Sequence, residues 1–544
     1  MTVRWLFVET SWYLLAALLL AWIFALYGAL RETGFSPRRF LHSHWGELAA
    51  TILLTAVASF AVGDYFKVLG DESEIAVVGQ SLALQRRALG YGEALNEGGR
   101  LQPAETHIPK RPLLFPFLAA LLHPLPGSDY HHALQVNAAA LCAFLLLGYR
   151  VAGRVLDRAA SMAAVLLLFS SPLFLLCARS ALMDFLSSFW LFLCLALTWL
   201  FLERPSSARF ALLWMSLVVL CHIRYENVAF FLVIVAGLSL LGRVSREQLW
   251  GARAFLVATP FLLLPLLWQV LLSRGRYTRA PDDRLFNAEA LLRNLKALVS
   301  VGLDFNIGAP SIYSHLAFPI FLLTVILLLG ALAAGRLRFP ECRQRDGVLL
   351  AGMVLALQLL IVLSHYRGDL RYGTAQRYYL TPFLVFGLSP LLWLVFLGRR
   401  VGGRLLLLVS LALFAAALPG YRGLAQARSV YADLEAQRGV LARYPRESVI
   451  AVSGWSQPLV ALGYSAVGPS FAAENADRLL ALVGDSSPRE ILVFQAVDLV
   501  EKKVIAGDEL ARAFRLETVA ELRPFREFAL RVSRALPRET GGPP

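Results

Sequence analysis

Charge is what this sequence has least of. Asp, Glu, Lys and Arg make up 17% of its 544 residues against 57% hydrophobic ones, and the mean hydropathy is +0.59, which excludes an ordinary water-soluble enzyme. The apolar residues come in runs of roughly 15 to 25, the length a helix needs to cross about 30 Å of hydrocarbon, and lack the alternation of a barrel strand. Cysteine is equally scarce. Cys142, Cys177, Cys194, Cys221 and Cys342 lie in or beside apolar segments and none follows them, so no disulfide framework is indicated. Fixed-period repeats, low-complexity linkers and basic blocks are missing too. The formal charge of +14 (52 Lys+Arg, 38 Asp+Glu) therefore belongs to loops that orient helices and not to a nucleic-acid surface.

What is present is a series of spans. They are expected at 12–30, 47–63, 134–152, 159–176, 182–202, 210–222, 228–242, 254–272, 317–335, 348–364, 380–397 and 405–419. The first follows only Arg4, lacks a small-residue cleavage site, and reads as a retained helix. Arginines such as Arg38, Arg39, Arg150, Arg154, Arg158 and Arg243 fall in six alternate short loops, which places those loops in the cytoplasm. Alternation puts 64–133, the turns near 177–184 and 223–227, 273–316 and 365–379 on the opposite face. The charged tail after Pro419 follows them. Its β-type runs Ser448–Ser453 and Ile491–Gln495 flank a helical Asn475–Val483, a small α/β domain over 420–544.

The outer face holds the informative charges. Asp71-Glu72 lie just past a membrane exit, where a carboxylate can take a proton from an acceptor, or can simply cap the helix that follows. Lys110-Arg111-Pro112 opens an apolar stretch too short to span, suited to the interface. Arg179 and Asp184 frame one turn, Arg224-Tyr225-Glu226 forms another, and Arg377-Tyr378 opens a later span. Each has a plain reading as an ion pair, a cap or a snorkelling side chain. Together they run against the positive-inside trend, and arginine forks at headgroup level suit a phosphate. Arg274, Arg276, Arg279 and Arg284 precede an amphipathic helix near Ala288–Val299 in a loop suited to closing over a substrate.

On these residues the sequence resembles the GT-C membrane glycosyltransferases, in particular the bacterial branch of protein O-mannosyltransferases and the lipid A aminoarabinose transferase. The resemblance covers roughly 47–400. It implies an all-α polytopic domain over 1–419 with a small extracytoplasmic α/β domain behind it, in a bacterial inner membrane. The donor would be a sugar on a polyprenyl phosphate and the acceptor a lipid, glycan or protein. Asp71 and Glu72 would be the catalytic carboxylates. Lys110, Arg111, Arg179, Arg224, Arg377 and Tyr378 would hold the donor phosphate, supported by Asp184 and Glu226, with inversion at the sugar carbon. The family's juxtamembrane motif often reads Lys-Pro-Pro where this chain has Lys-Arg-Pro, and the helix at 12–30 is additional to the family pattern. Some relatives use a divalent cation. Here no metal cluster is evident, and His107, His131 and His132 are the loop histidines to consider.

Two other readings use the same features. Twelve spans fit a secondary transporter, helped by Gly153-Arg-Val-Leu-Asp157-Arg158, but the spans lack the midplane charges a transporter needs. A lipid-carrier glycan ligase or polymerase would use the same arginines with one very large outer loop.

Overall fold

A computed structural model describes residues 2–62, 69–97, 100–154, 156–169, 171–273, 286–303, 317–333, 342–365, 368–371, 376–388, 407–413, 415, 432–483, 489–499, 503–505, 509–524 and 528–538. Arg274, Arg276, Arg279 and Arg284 of the expected closing loop lie outside the described residues, as do 405–406, 414 and 416–419 of the last expected span. The chain forms two compact units. One comprises Met1–Asp64, Lys110–Phe115 and Leu134–Gln426; the other comprises Tyr65–Pro109, Pro116–Ala133 and Ala427–Pro544.

The long apolar runs of the first unit are helices. Val3–Glu32, Tyr130–Ala152, Met183–Glu203, Arg253–Leu272 and Arg345–Ser364 are each long and apolar enough to cross a membrane, and Arg158–Phe169 with Pro172–Ala178 would count as a sixth span if the two form one broken helix. Ser207–Cys221 and Asn227–Leu240 are also apolar, but at 15 and 14 residues they reach only about 21–23 Å. They stop where their caps stop them. Ser206 Oγ accepts from the Arg209 N–H at 3.3 Å, and the polar turn 222–226 ends the first and begins the second. Five or six spans at full length among the described residues thus stand against the twelve expected.

The helix faces are joined by buried polar contacts as well as apolar ones. Val3–Glu32 and Met183–Glu203 both pack on Ser207–Cys221. At that junction Ser216 takes two indoles: Trp22 Nε1 donates to its Oγ at 2.9 Å and Trp190 Nε1 to its carbonyl at 2.8 Å, which satisfies ring donors that burial would otherwise leave unpaired. Gly237 allows Asn227–Leu240 to approach Cys342–Ser364, since a Cβ there would collide with Leu350. Asp346, 2% exposed, receives Arg243 Nε at 2.7 Å beyond that crossing.

The second unit is built on a seven-stranded sheet. Its strands are β1 (Ala94–Glu97), β2 (Arg100–Pro103), β3 (Val449–Val452), β4 (Ser465–Val467), β5 (Glu490–Asp498), β6 (Arg515–Leu522) and β7 (Phe528–Leu536), in the order β2-β1-β4-β3-β5-β7-β6. β3 pairs in parallel with β4 and β5, as crossover helices Ser456–Ala461 and Ala476–Ala481 permit, and the outer pairs are antiparallel. The expected strands 448–453 and 491–495 are β3 and β5. The all-α expectation for the region before 420 does not extend to 94–103. These residues form a hairpin, and β1 joins the tail's sheet at Ala94 against Ala466. Leu95 shares a core with Ile450, Val452, Val467, Ile491 and Phe514. The hairpin's alternation is too short to announce itself in sequence.

Two outcomes are expected. Leu95→Ala should destabilise the second unit by about 2–4 kcal/mol in a thermal or denaturant melt; an unchanged melt would mean that the tail folds without the loop. Burial pushes the Glu93 carboxyl above its ordinary 4.5, the Gly468 N–H at 2.8 Å offsets this only in part, and Glu105 and Glu474 add repulsion. The folded state therefore holds this proton more tightly than the unfolded chain. The resulting stability is present below about pH 4.5 and is lost as pH rises through the folded value. Glu93→Gln keeps the acceptor oxygen and removes the titration, so its denaturation midpoint should fall less than the wild type's between acid and neutral pH.

Candidate functional site

In the first unit the polar turns converge on Asp184. It sits in the first turn of Met183–Glu203, 5% exposed, where the helix N-terminus favours a carboxylate. The turn leading to it is stapled by Asn137, which is fully buried and donates from Nδ2 to the carbonyls of Ser180 (2.6 Å) and Leu182 (2.8 Å). Arg224 Nη1 donates to Asp184 Oδ1, and Arg224 Nε lies 2.5 Å from Glu226 Oε1. Arg377 Nη1 lies 4.0 Å from Asp184 Oδ2. Two arginines thus share one buried carboxylate.

Tyr378 organises the pair. The guanidinium carbons of Arg224 and Arg377 lie 5.2 and 5.1 Å from its ring centre, and Arg377 Nη2 donates to its hydroxyl at 3.2 Å, so the ring's negative faces hold cations that would otherwise repel. At Arg224, burial works against the charged form, but Glu226, Asp184 and Tyr378 outweigh it and the pKa is raised; Arg377 pulls the other way. The segment bearing Arg377 is fixed from two sides. Tyr379 OH donates to the Gly368 carbonyl at 2.6 Å, and Thr381 Oγ1 meets Ser188 Oγ at 2.8 Å. In the same stretch Asp369 is held below its ordinary carboxyl range, chiefly by its hydrogen bond with Arg371.

Arg111, Pro112, Asp184, Arg224, Glu226 and Arg377 line a cavity of about 30 Å³ beside Tyr378, room for a water or two. Arg111 is placed by its backbone: its carbonyl accepts from Gln269 Nε2, and the preceding Lys110 carbonyl accepts from Tyr225 OH at 2.9 Å. Of the expected phosphate-binding set, Arg111, Arg224, Arg377 and Tyr378 are brought together here with Asp184 and Glu226. Lys110 is exposed and does not line this cavity. Nor does Arg179, which is buried at the C-cap of Pro172–Ala178. Tyr225 was visible in Arg-Tyr-Glu. Asn137 lies in a span with no nearby charge to single it out.

The acidic pair belongs to the second unit. Asp71 and Glu72 are in the first turn of Leu69–Leu84; Glu72 is fully buried and Asp71 half-buried. One turn on, Glu74 is the centre of a network. Its Oε1 lies 2.8 Å from His107 Nε2 and its Oε2 accepts from Gln457 Nε2 at 2.7 Å, while Gln457 Oε1 accepts from Ser73 Oγ at 3.0 Å. The tail thereby grips the acidic helix through a glutamine that sequence reasoning passed over. His131 Nδ1 lies 2.7 Å from Ser128 Oγ, and His132 Nε2 donates to the Leu125 carbonyl at 3.1 Å. Among the described residues no three His, Cys, Asp or Glu side chains are grouped to hold a metal ion.

No family model and no curated protein matches the sequence. Among solved structures the chain is similar to ArnT from Cupriavidus metallidurans in the apo state, with a TM-score of 0.51 at 14% identity over 90% of this chain and 98% of that one. The chain has the ArnT fold. The crystal structure of the same ArnT bound to undecaprenyl phosphate matches over the same shares at 14% identity with a TM-score of 0.48.

Asp184→Asn should leave two buried guanidiniums with a neutral partner and cost about 3–5 kcal/mol, read as a lower thermal midpoint of the detergent-solubilised protein. An unchanged midpoint would show that Asp184 does not hold the two arginines.

Proposed function

We propose that this chain transfers a sugar from a polyprenyl-phosphate donor to an acceptor on the extracytoplasmic side of the membrane. The observation that carries the reading is the cavity with three arginines against two carboxylates, two of those arginines sharing Asp184. Such a site gathers guanidinium donors in a fork geometry that suits phosphate oxygens. ArnT, whose fold this is, is a protein crystallised with undecaprenyl phosphate, and the apolar helices supply a surface for a polyprenyl chain.

In this reading Arg111, Arg224 and Arg377 hold the donor phosphate. As the bond between the anomeric carbon and the phosphate oxygen breaks, the phosphate gains a negative charge. Fixed guanidiniums stabilise that charge without reorganising. The about 30 Å³ of free space is too small for a whole phosphate, so the anion would displace Glu226 and replace a carboxylate partner of Arg224. Asp71, the member of the acidic pair with exposed surface, takes the proton from the attacking hydroxyl or amine. Direct attack from the face opposite the leaving phosphate inverts the sugar carbon. Glu72, being fully buried, supports the helix and does not meet the acceptor. Any divalent cation would serve the phosphate, and the reading does not require one.

With a labelled polyprenyl-phosphate sugar and purified protein in lipid, Asp71→Asn should lower kcat about a hundredfold to ten-thousandfold while donor binding persists. Arg377→Lys, which keeps the charge and loses the fork, should raise the donor KM about tenfold or more. Full activity in Asp71→Asn would remove it from the chemistry. Transfer of a glycan from a polyprenyl diphosphate, with none from the polyprenyl-phosphate sugar, would instead make the protein a ligase.

A further inference from the structure

A second cavity, of about 700 Å³ and with both charged and apolar walls, lies in the first unit, lined by other residues. It opens among the turn 149–158, the end of Met183–Glu203 and the kink in Pro37–Val62, where His44 leaves helical geometry (φ −128°, ψ 20°). From the structure we infer that this cavity binds the phosphodiester headgroup of an anionic glycerophospholipid, in the leaflet that the arginine-rich loops face.

The charge balance of the walls supports an anion. Arg150, Arg154 and Arg158 face Glu47 and Glu203. Glu203 is already satisfied at both oxygens, by Trp199 Nε1 at 2.7 Å and by Arg154 Nη1 at 2.6 Å. Glu47 lies 3.7 Å from His44 Nδ1. Arg150 instead donates to the His44 ring, at 2.9 Å to Nε2. Its partner there is an imidazole and not a carboxylate. Among the described residues neither Arg150 nor Arg158 forms an ion pair with a carboxylate. Both arginines are exposed and available.

The rest of the wall selects a lipid over a soluble phosphate. Leu147, Val151, Ala196 and Leu200 give it an aliphatic side, and Tyr149 and Trp199 are aromatic residues of the kind that sit at headgroup level. Arginine above and aliphatic surface below match the phosphate and first acyl carbons of a phospholipid. This inference is independent of the proposed reaction, because no residue of this cavity belongs to the site around Asp184.

The test is native mass spectrometry of the purified full-length protein with phosphatidylglycerol or phosphatidylcholine added, folding being checked by thermal melt. Phosphatidylglycerol should be retained over phosphatidylcholine, and Arg150→Gln/Arg158→Gln should lower its retention about thirtyfold. Ala196→Trp, which fills the cavity with every charge in place, should do the same and serves if the double variant fails to fold. Equal retention of the two lipids, or retention unchanged in both variants, overturns the inference. Displacement by millimolar inorganic phosphate would overturn it in favour of a soluble ligand, and displacement by undecaprenyl phosphate in favour of the carrier itself.

Discussion

The site in the membrane unit depends on one buried carboxylate answering two arginines. Taking ions out of water is costly, and Asp184 offsets that cost for Arg224 and Arg377 only together with Glu226 and the ring of Tyr378. The supports lie in several parts of the chain: Asn137 staples the turn before Asp184, Ser188 and Thr381 join the helices carrying Asp184 and Arg377, and Gln269 pins Arg111. What gives such a cluster a use is that its guanidiniums line one cavity together. A set of arginines with no carboxylate would be costly to bury.

The second unit sets the acidic helix in a comparable way. Glu74, one turn after Asp71, is held by His107 and Gln457, so the tail and the first large loop share hydrogen bonds as well as a sheet. In the proposed reaction the tail then serves to fix the helix that carries the proton acceptor. In that reaction the fully buried Glu72 is the structural member of the pair and the half-buried Asp71 the reactive one.

Much of this was legible in the sequence, for identifiable reasons. The class of protein follows from hydropathy alone, and most helices stand where the apolar runs are. Arg224, Arg377, Tyr378, Asp184 and Glu226 drew attention because charge at the ends of apolar helices is costly and therefore noticeable. What was hidden depends on distance in sequence. The hairpin 94–103 becomes strand only because β4 is there to pair with it, Gln457 is an ordinary polar residue until Glu74 meets it 383 residues away, and Asn137 acts on backbone carbonyls that no pattern reveals. The apolar runs at 210–222 and 228–242 located the helices Ser207–Cys221 and Asn227–Leu240 to within three residues at each end.

The central claim is that the cluster around Asp184 recognises the phosphate of a polyprenyl carrier. The most direct test compares the binding of undecaprenyl phosphate and of undecaprenol, the same chain without the phosphate, to the purified protein in lipid nanodiscs. The account predicts that the phosphate strengthens binding by about a hundredfold and that Arg224→Gln with Arg377→Gln abolishes the difference. Equal affinity for the two lipids in the wild-type protein would contradict it.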